Sequence, residues 1–330
     1  MRAVTLTSPG QVQIVEDWPE PECGPDEVIV QIRGVGLCGS DLSVFDGKRE
    51  VPHMPWVFGH EGGGDIVEVG SAVTDRRVGQ RVVIEPNYCD LTCEECRAGH
   101  TSACLNRVVL AINTPGILAE RVAAPAEFTW PISIDWPDVA LACFEPLCVA
   151  DTAVRRADVP AGAECLVIGA GSQGQLVCQS LLAGGAVPYV MEPHPGRMEL
   201  ALKFGARRAE ERGEQRYPFV FETAGVPAVW DTAFNATGTF GRLVVVGMSP
   251  KPVQINTMDL VMRKITIVGQ HIYDHPQDFA ATLESVDAGR LAPEQTVQAS
   301  FPVEEVASAL AAAREVPGKT WIDFSNWLDR

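Results

Sequence analysis

The sequence lacks long hydrophobic runs, and its first residues lack the pattern of a secretory leader. It has no stretch of eighteen or more apolar residues, and its start, MRAVTLTSPG, has neither a basic segment followed by an apolar stretch nor a small-residue cleavage site. A membrane-spanning helix needs about 20 consecutive apolar residues, and a secretory leader needs that pattern of segments. We therefore expect neither, and we expect a cytoplasmic protein.

Positive charge is also scarce. The 330 residues include 26 Lys and Arg against 43 Asp and Glu, which gives a formal net charge of -17. Such a chain repels phosphate backbones and anionic membrane surfaces and offers no basic patch to nucleic acid. We expect no nucleic-acid partner and no membrane partner, so a small molecule is the expected ligand.

The ten cysteines are too few for a disulfide scaffold, but four of them cluster in CDLTCEECRAGHTSAC. Four thiolates at such short gaps suit a closed, tetrahedral, structural zinc site. The alternative is a set of loop thiols without a metal. The predicted ligands are Cys89, Cys93, Cys96 and Cys104.

The pattern of the chain changes near residue 150. Before it, short alternating runs such as EVIVQIRGVG are separated by Pro and Gly, which is typical of a β-rich domain. After it, short apolar strands alternate with amphipathic helices, which is typical of a doubly wound parallel sheet. The tail, VEEVASALAAAREVPGKTWIDF, predicts one helix and one strand.

A dinucleotide site is predicted at VIGAGSQG, where Gly169, Gly171 and Gly174 have the G-x-G-x-x-G spacing between a strand and a helix. Such a turn places a pyrophosphate at the positive end of the helix. Glu192, at the end of the next strand, is positioned to hold the ribose hydroxyls. Its carboxylate would repel a 2′-phosphate and so favours NAD over NADP, although the nearby His194 and Arg197 weaken that preference. The alternative is a Gly-rich turn that binds nothing.

A catalytic zinc needs three protein ligands and an open position. Cys38 in GLCGSD and His60 in FGHEGGG are candidates, with Asp41 to orient the imidazole and Ser40 to pass a proton. A third ligand is available in ACFEPLCV, where Cys143, Glu145 and Cys148 point in different directions on a helix, so only one of them faces the site squarely.

The chain resembles the zinc-dependent medium-chain alcohol dehydrogenases. GHE followed by Gly64, Gly70 and Val73 fits the zinc signature of that family, and CGSD, the four-cysteine segment, VIGAGSQG, FETAG, RKITIVG and GKTWIDF follow in the family's order. The branch that it resembles contains the polyol, butanediol and threonine dehydrogenases, which share an E-P-L-x-V segment. The resemblance implies an α/β protein with a GroES-like β-rich catalytic domain at residues 1–146 and 273–330, and a Rossmann NAD-binding domain with a doubly wound parallel sheet at 147–272.

The resemblance also implies roles for residues. Glu145 becomes the third ligand of the catalytic zinc, with Cys143 and Cys148 as packing residues of a helix, and Glu61 is a further candidate ligand. Alcohol dehydrogenases that use cysteine at this position leave Cys143 or Cys148 as the alternative. Ser40 and Ser43 are the expected catalytic relay, and Ser43 stands where most relatives have a histidine. The remaining expected cofactor contacts are Gln173, Arg197, Thr223, Gly247 and Met248.

The expected cofactors are thus one catalytic and one structural Zn²⁺ and NAD. The expected reaction is hydride transfer between NAD and a polar secondary alcohol, such as a polyol, a cyclitol or an aminocyclitol like those of the deoxyinosamine dehydrogenases. Candidate substrate contacts include aromatic and histidine side chains. A homodimer or homotetramer is expected. The alternatives are a non-catalytic zinc- and NAD-binding relative and a reductase that acts on a ketone in secondary metabolism. The substrate candidates are Phe45, His53, Trp56, His271 and Tyr273.

Overall fold

The chain forms two compact units in a computed structural model that describes residues 1–213 and 215–328. Met1–Glu145 and Val297–Arg330 form one, here called the β-rich unit, and Pro146–Thr296 form the other, here called the α/β unit. No described helix has both the length and the apolar character needed to cross a membrane.

Strands and helices are numbered in chain order. The strands are β1 (Ala3–Ser8), β2 (Gln11–Val15), β3 (Glu27–Gly36), β4 (Trp56–Val57), β5 (Glu61–Val69), β6 (Arg81–Ile84), β7 (Asn87–Tyr88), β8 (Val108–Val109), β9 (Arg121–Pro125), β10 (Thr129–Pro131), β11 (Glu164–Ile168), β12 (Val187–Met191), β13 (Arg207–Arg208), β14 (Tyr217–Glu222), β15 (Thr237–Val245), β16 (Thr266–Gly269), β17 (Val297–Pro302) and β18 (Lys319–Asp323). The helices are α1 (Gly39–Phe45), α2 (Glu94–Arg97), α3 (Phe144–Arg156), α4 (Ser172–Ala183), α5 (Pro195–Phe204), α6 (Trp230–Ala236), α7 (Thr257–Arg263), α8 (Gln277–Asp287), α9 (Val306–Ala312) and α10 (Ser325–Leu328).

The β-rich unit is organised around a sheet of order β10-β6-β5-β3-β18-β17, with β9 also paired to β3. A smaller sheet has the order β2-β1-β4. Successive side chains of a strand point to opposite faces, and Val28, Val30 and Ile32 of β3 accordingly lie in the core. The C-terminal strand β18 pairs antiparallel with β3, Trp321 opposite Gly36. The expected β-rich fold is confirmed, and the C-terminal strand β18 belongs to its main sheet.

The α/β unit has a parallel sheet of order β13-β12-β11-β14-β15-β16. The strand order reverses between β11 and β14, which is the switch point of a doubly wound fold. The expected Rossmann topology is confirmed. The third strand, β13, has two residues and is followed by a short 3-10 segment, Ala209–Arg212, in place of an α-helix.

The division between the units differs from the predicted one at its second boundary. The sequence predicts it between residues 272 and 273, but residues 273–296 group with the α/β unit. The reason is a set of ion pairs that join α8 to α3. Arg155 lies 2.9 Å and Arg156 2.8 Å from the carboxylate of Asp278, and Thr282 donates to Asp151 at 3.1 Å.

A charge network joins the central strands of the β-rich unit to the segment that leads into α3. Asp65 of β5 accepts from Arg33 of β3 and from Arg81 of β6, both at 2.6 Å. Asp138, in a 3-10 segment, accepts from Arg81 at 2.6 Å and from Arg33 at 3.1 Å. Burial raises the pKa of Asp65, but the hydrogen bonds and charges of the two arginines outweigh it and hold that pKa below its usual range.

We predict that Asp65→Asn destabilises the protein by about 1–3 kcal/mol near neutral pH, because the nearly buried Arg81 loses a charged acceptor. A lowered native pKa stabilises the fold above the unfolded value of about 4, and this contribution disappears as the pH falls through the native pKa. Denaturant unfolding at several pH values should therefore show a difference from wild type that shrinks on acidification. The control is Asp75→Asn, which alters an exposed ion pair; an equal loss in both variants would contradict the assignment.

Candidate active site and metal centres

Three potential zinc ligands converge in the β-rich unit. The ligand atoms of Cys38, His60 and Glu61 all lie within 4.8 Å of one another. Cys38 immediately precedes α1, while His60 immediately precedes β5 and Glu61 is its first residue. One thiolate, one imidazole and one carboxylate are ligands that zinc accepts. The predicted pairing of Cys38 with His60 is therefore present in the structure.

Asp41 holds the two ligand segments together. One of its carboxylate oxygens accepts the backbone N–H of Cys38 at 2.9 Å. The other accepts the backbone N–H of Gly59 at 3.1 Å and His60 Nδ1 at 3.1 Å. Burial raises the pKa of Asp41, but the charge of His60 and these hydrogen bonds outweigh it, so the pKa lies below its usual range. The side chain is a buried carboxylate that directs His60 Nε2 towards Cys38, the orienting role predicted for it.

The protonation of His60 follows from the same contacts. Burial lowers the pKa of His60, but the charge and hydrogen bond of Asp41, together with Cys38, outweigh it and raise the pKa well above its usual value. These contacts favour the protonated imidazole in the metal-free protein, so a metal ion that binds His60 competes with a proton.

The two relay candidates differ in their surroundings. Ser40 Oγ lies 3.4 Å from His60 Nε2, next to the ligand group. Ser43 Oγ donates to the backbone carbonyl of Gly39 at 3.0 Å, one turn back in its own helix. The structure thus places Ser40 beside the predicted metal centre and gives Ser43 a local backbone partner.

Lys319 is a member of this site that the sequence did not predict. Its Nζ donates to Glu61 Oε2 at 2.5 Å and to the carbonyl of Leu37 at 3.4 Å, and the side chains of Lys319 and Glu61 are each 2% exposed. Burial lowers the pKa of Lys319, but the charges of Glu61, Cys38 and Cys143 outweigh it and raise that pKa. A buried ion is stable only when it is paired, so each partner depends on the other. The available signal was a lysine at the start of the strand KTWID, which the structure buries almost completely.

The three potential ligands of ACFEPLCV occupy different positions. Glu145 lies in the first turn of α3 and is buried, but among the described residues it is not part of the group formed by Cys38, His60 and Glu61. Cys148 lies on α3, whereas Cys143 lies just before that helix, at the end of a 3-10 segment. The expectation that Cys143 is a helix residue is therefore wrong, although both thiols are fully buried as expected of packing residues. Glu145 as third ligand stays a prediction.

A second ligand group lies in the four-cysteine segment, with one member different from the expected set. The ligand atoms of Asp90, Cys93, Cys96 and Cys104 all lie within 4.8 Å of one another. Cys89 is not part of this group in the described structure. The reason is local: Asp90, not Cys89, turns back onto the chain and accepts the backbone N–H of Cys93 at 2.9 Å.

The Gly-rich turn of the α/β unit has the form that a pyrophosphate requires. Gly169 has φ +89°, and a Cβ at Gly174 would lie 2.1 Å from the carbonyl oxygen of Gly169, so glycine is needed at both positions. Helix α4 begins at Ser172, and the space around the α-carbon of Gly171 is open. Backbone N–H groups and the helix dipole therefore face a site that can hold an anion.

Glu192 connects that turn to the next strand. One of its carboxylate oxygens accepts the backbone N–H of Ala170 at 2.7 Å, and the other accepts that of His194 at 2.8 Å. Gln175, which the sequence did not predict, is fully buried and donates to the carbonyls of Ala170 at 2.9 Å and Arg197 at 2.8 Å. These two side chains fix the phosphate turn relative to the start of α5.

The other predicted cofactor residues lie at the same end of the sheet or close to it. Thr223 Oγ1 donates to Gly169 O at 2.9 Å, and Gln173 Nε2 donates to Pro146 O at 3.2 Å. Gly247 packs so closely that a Cβ there would lie 2.2 Å from Gly225 N, while the side chain of Met248 is exposed. The predicted residues thus line one edge of the α/β unit, formed by the carboxyl ends of β11, β12, β14 and β15.

The side chains present fit both implied groups. For zinc, the test is the donor set: Cys38, His60 and Glu61 converge, and the nitrogen of His60 that faces Cys38 is fixed by Asp41 on the opposite nitrogen. For a dinucleotide, the test is the open, glycine-lined turn at the start of α4 with an acid at the end of the next strand. The candidate zinc ligands all lie in the β-rich unit, and the candidate dinucleotide residues all lie in the α/β unit.

Comparison with known proteins identifies the family. A family model described as an alcohol dehydrogenase GroES-like domain matches residues 24–134, and one described as a zinc-binding dehydrogenase matches residues 174–288. L-threonine 3-dehydrogenase of Chelativorans sp. (strain BNC1) is 30% identical over 289 residues, which cover 82% of this chain and 83% of the relative. The chain belongs to the zinc-dependent medium-chain alcohol dehydrogenases.

Other members of the family match nearly the whole length of this chain. Sorbitol dehydrogenase of Bombyx mori is 28% identical over 91% of this chain and 92% of its own. The crystal structure of galactitol-1-phosphate dehydrogenase from Escherichia coli superposes with a TM-score of 0.89 at 26% identity and covers 98% of this chain and 100% of that one. The protein is thus an NAD(P)-dependent oxidoreductase of the family that acts on CH–OH groups, and zinc and NAD(P) are its cofactors.

We predict that Asp41→Asn weakens zinc binding in this dehydrogenase by about 10–100-fold, because an amide presents an NH₂ group where backbone and imidazole N–H donors converge. Zinc retained during dialysis against graded chelator measures the effect, with a thermal melt to verify folding. Asp46→Asn, at the exposed end of the same helix, is the matched control. Equal zinc retention in both variants would show that Asp41 does not position the ligands.

Proposed function

We propose that this dehydrogenase transfers hydride between NAD and a polar secondary alcohol of the polyol, cyclitol or aminocyclitol type. The observation that carries the proposal is the convergence of Cys38, His60 and Glu61 around an imidazole that Asp41 orients. Three relatives are named as dehydrogenases of L-threonine, sorbitol and galactitol 1-phosphate, and each of these compounds is polar and carries a hydroxyl group. The net charge of -17 adds attraction for a cationic substrate such as an aminocyclitol.

The residues divide the work of binding and proton transfer. When bound, zinc supplies a Lewis acid and NAD supplies the hydride acceptor. Cys38 and His60 would hold the metal, and because Asp41 occupies His60 Nδ1, Nε2 would be the nitrogen available to it. Ser40 Oγ, 3.4 Å from that nitrogen, is placed to accept the proton of the substrate hydroxyl and pass it to water. Lys319 balances the negative charge of Glu61 inside the protein.

The preference for NAD over NADP rests on Glu192. Both of its carboxylate oxygens accept backbone N–H groups, which fixes the side chain beside the phosphate turn. A fixed negative charge accepts hydrogen bonds from ribose hydroxyls and repels a 2′-phosphate.

The test of function is an alcohol panel with purified, zinc-loaded protein, followed by NADH or NADPH absorbance. Polyols, cyclitols and aminocyclitols should have a higher kcat/KM than simple primary alcohols, and NAD should be preferred over NADP. Aminocyclitols should lose part of that advantage at high salt, because screening weakens steering. If simple diols and sugar alcohols react as well as every aminocyclitol, the aminocyclitol proposal is wrong. No turnover of any alcohol with two zinc ions bound would contradict the proposed function itself.

The third ligand is tested by alanine substitution in ACFEPLCV. Glu145→Ala should lower catalytic zinc content or turnover and leave the melting curve nearly unchanged, whereas Cys148→Ala should do neither. The reverse result would move the ligand to Cys148. If Glu145→Ala has no effect but Glu61→Gln releases zinc, the third ligand is Glu61, as the convergence of Cys38, His60 and Glu61 would allow.

The cytoplasmic location and the homodimer or homotetramer expected from the sequence stay predictions.

A further inference from the structure

The segment of residues 89–104, here called the cysteine loop, brings Asp90 as well as its four cysteines together, which is one ligand more than a tetrahedral ion accepts. Cys93, Cys96 and Cys104 belong to the ligand group of the structure, so a single position remains for either Cys89 or Asp90. The two residues are adjacent in the chain, and a tetrahedral ion with three thiolate ligands accepts only one of them.

Among the described residues, Asp90 and not Cys89 forms a group of mutually close ligand atoms with the three thiols. A carboxylate oxygen of Asp90 lies within 4.8 Å of each of the three sulfur atoms, and the backbone N–H of Asp90 donates to Cys104 Sγ at 3.4 Å. Two of the thiols, Cys93 and Cys104, are already 3.9 Å apart. Cys89 is buried beside Cys96, Cys104 and Phe128, but its sulfur does not belong to the group of ligand atoms.

The hydrogen bonds of Asp90 leave a position for a metal ion. Its Oδ1 accepts the backbone N–H groups of Thr92 and Cys93, each at 2.9 Å, and its Oδ2 accepts from the side-chain amide of Asn106. A carboxylate has about four lone-pair positions, so these three donors use all but one. The remaining position is on Oδ2, and the side chain of Cys96 makes a hydrogen bond to this carboxylate. The thiols and the last acceptor position of Asp90 thus meet at one point.

We propose that Asp90 is the fourth ligand of the structural zinc, which makes that site Asp-Cys₃, and that Cys89 is a packing thiol beneath it. An oxygen ligand at about 2.0–2.2 Å is compatible with tetrahedral zinc. Binding would release three thiol protons to solvent, among them the one that Cys96 shares with Asp90. The structural site has no open position for a substrate. The proposal therefore does not depend on the proposed substrate class.

The test compares Asp90→Ala with Cys89→Ala by zinc analysis of the purified full-length protein. Wild type should hold two zinc ions per chain, Cys89→Ala should also hold two, and Asp90→Ala should hold one. Cys23→Ala removes a half-buried thiol outside the cysteine loop and is the matched control for loss of a cysteine. Loss of a zinc ion in Cys89→Ala, or two zinc ions retained in Asp90→Ala, would overturn the proposal.

Cobalt substitution reports on the ligands without relying on turnover or on the folding of Asp90→Ala. Absorption from thiolate-to-cobalt charge transfer increases with the number of sulfur ligands. It should be unchanged in Cys89→Ala and should increase in Asp90→Cys, which supplies a fourth thiolate. A weaker band in Cys89→Ala, or no increase in Asp90→Cys, would mean that Cys89 already occupies the position.

Discussion

The metal centre of this dehydrogenase depends on one buried carboxylate. Asp41 lies in the first turn of a short helix, yet it accepts hydrogen bonds from Cys38, Gly59 and His60, which belong to segments about 20 residues apart in the chain. A hydrogen bond to a charged group contributes about 1.5–3 kcal/mol. Because Asp41 satisfies two backbone donors and the imidazole together, it fixes the backbone and the side chain of the ligand segments at once.

A buried lysine near the end of the chain contributes a second charged contact to the same site. Lys319 is the first residue of β18, and its ammonium group neutralises Glu61 at the start of β5. Both side chains are almost fully buried, so the loss of either one leaves an uncompensated charge in the interior. The pairing of β18 with β3 is what delivers Lys319 to this position. The C-terminal segment therefore contributes to the metal centre as well as to the sheet.

The sequence predicted those parts of the protein in which local spacing carries the chemistry. The G-x-G-x-x-G turn, Glu192 at the next strand end, and the Cys38 and His60 motifs depend on short segments, and the structure places them as expected. Lys319 and Gln175 were missed because their partners are distant in sequence or are backbone carbonyls, which no motif records. The four-cysteine segment is a different case. The sequence predicts Cys89 as a ligand, whereas the structure groups Asp90 with the other three thiols, because Asp90 stands three positions before Cys93 and accepts its backbone N–H. Glu145 was chosen by family resemblance, whereas the structure brings Glu61 to the thiol and the imidazole.

The central claim is that Asp41 holds His60 so that its Nε2 and the thiolate of Cys38 bind one zinc ion. A crystal structure of the zinc-loaded protein, with anomalous diffraction measured at the zinc edge, tests it most directly. The account predicts an anomalous peak bonded to Cys38 Sγ and His60 Nε2, with Asp41 still hydrogen-bonded to His60 Nδ1. A peak bonded to Nδ1 with Asp41 displaced, or no peak beside Cys38 in protein that oxidises alcohols, would contradict it.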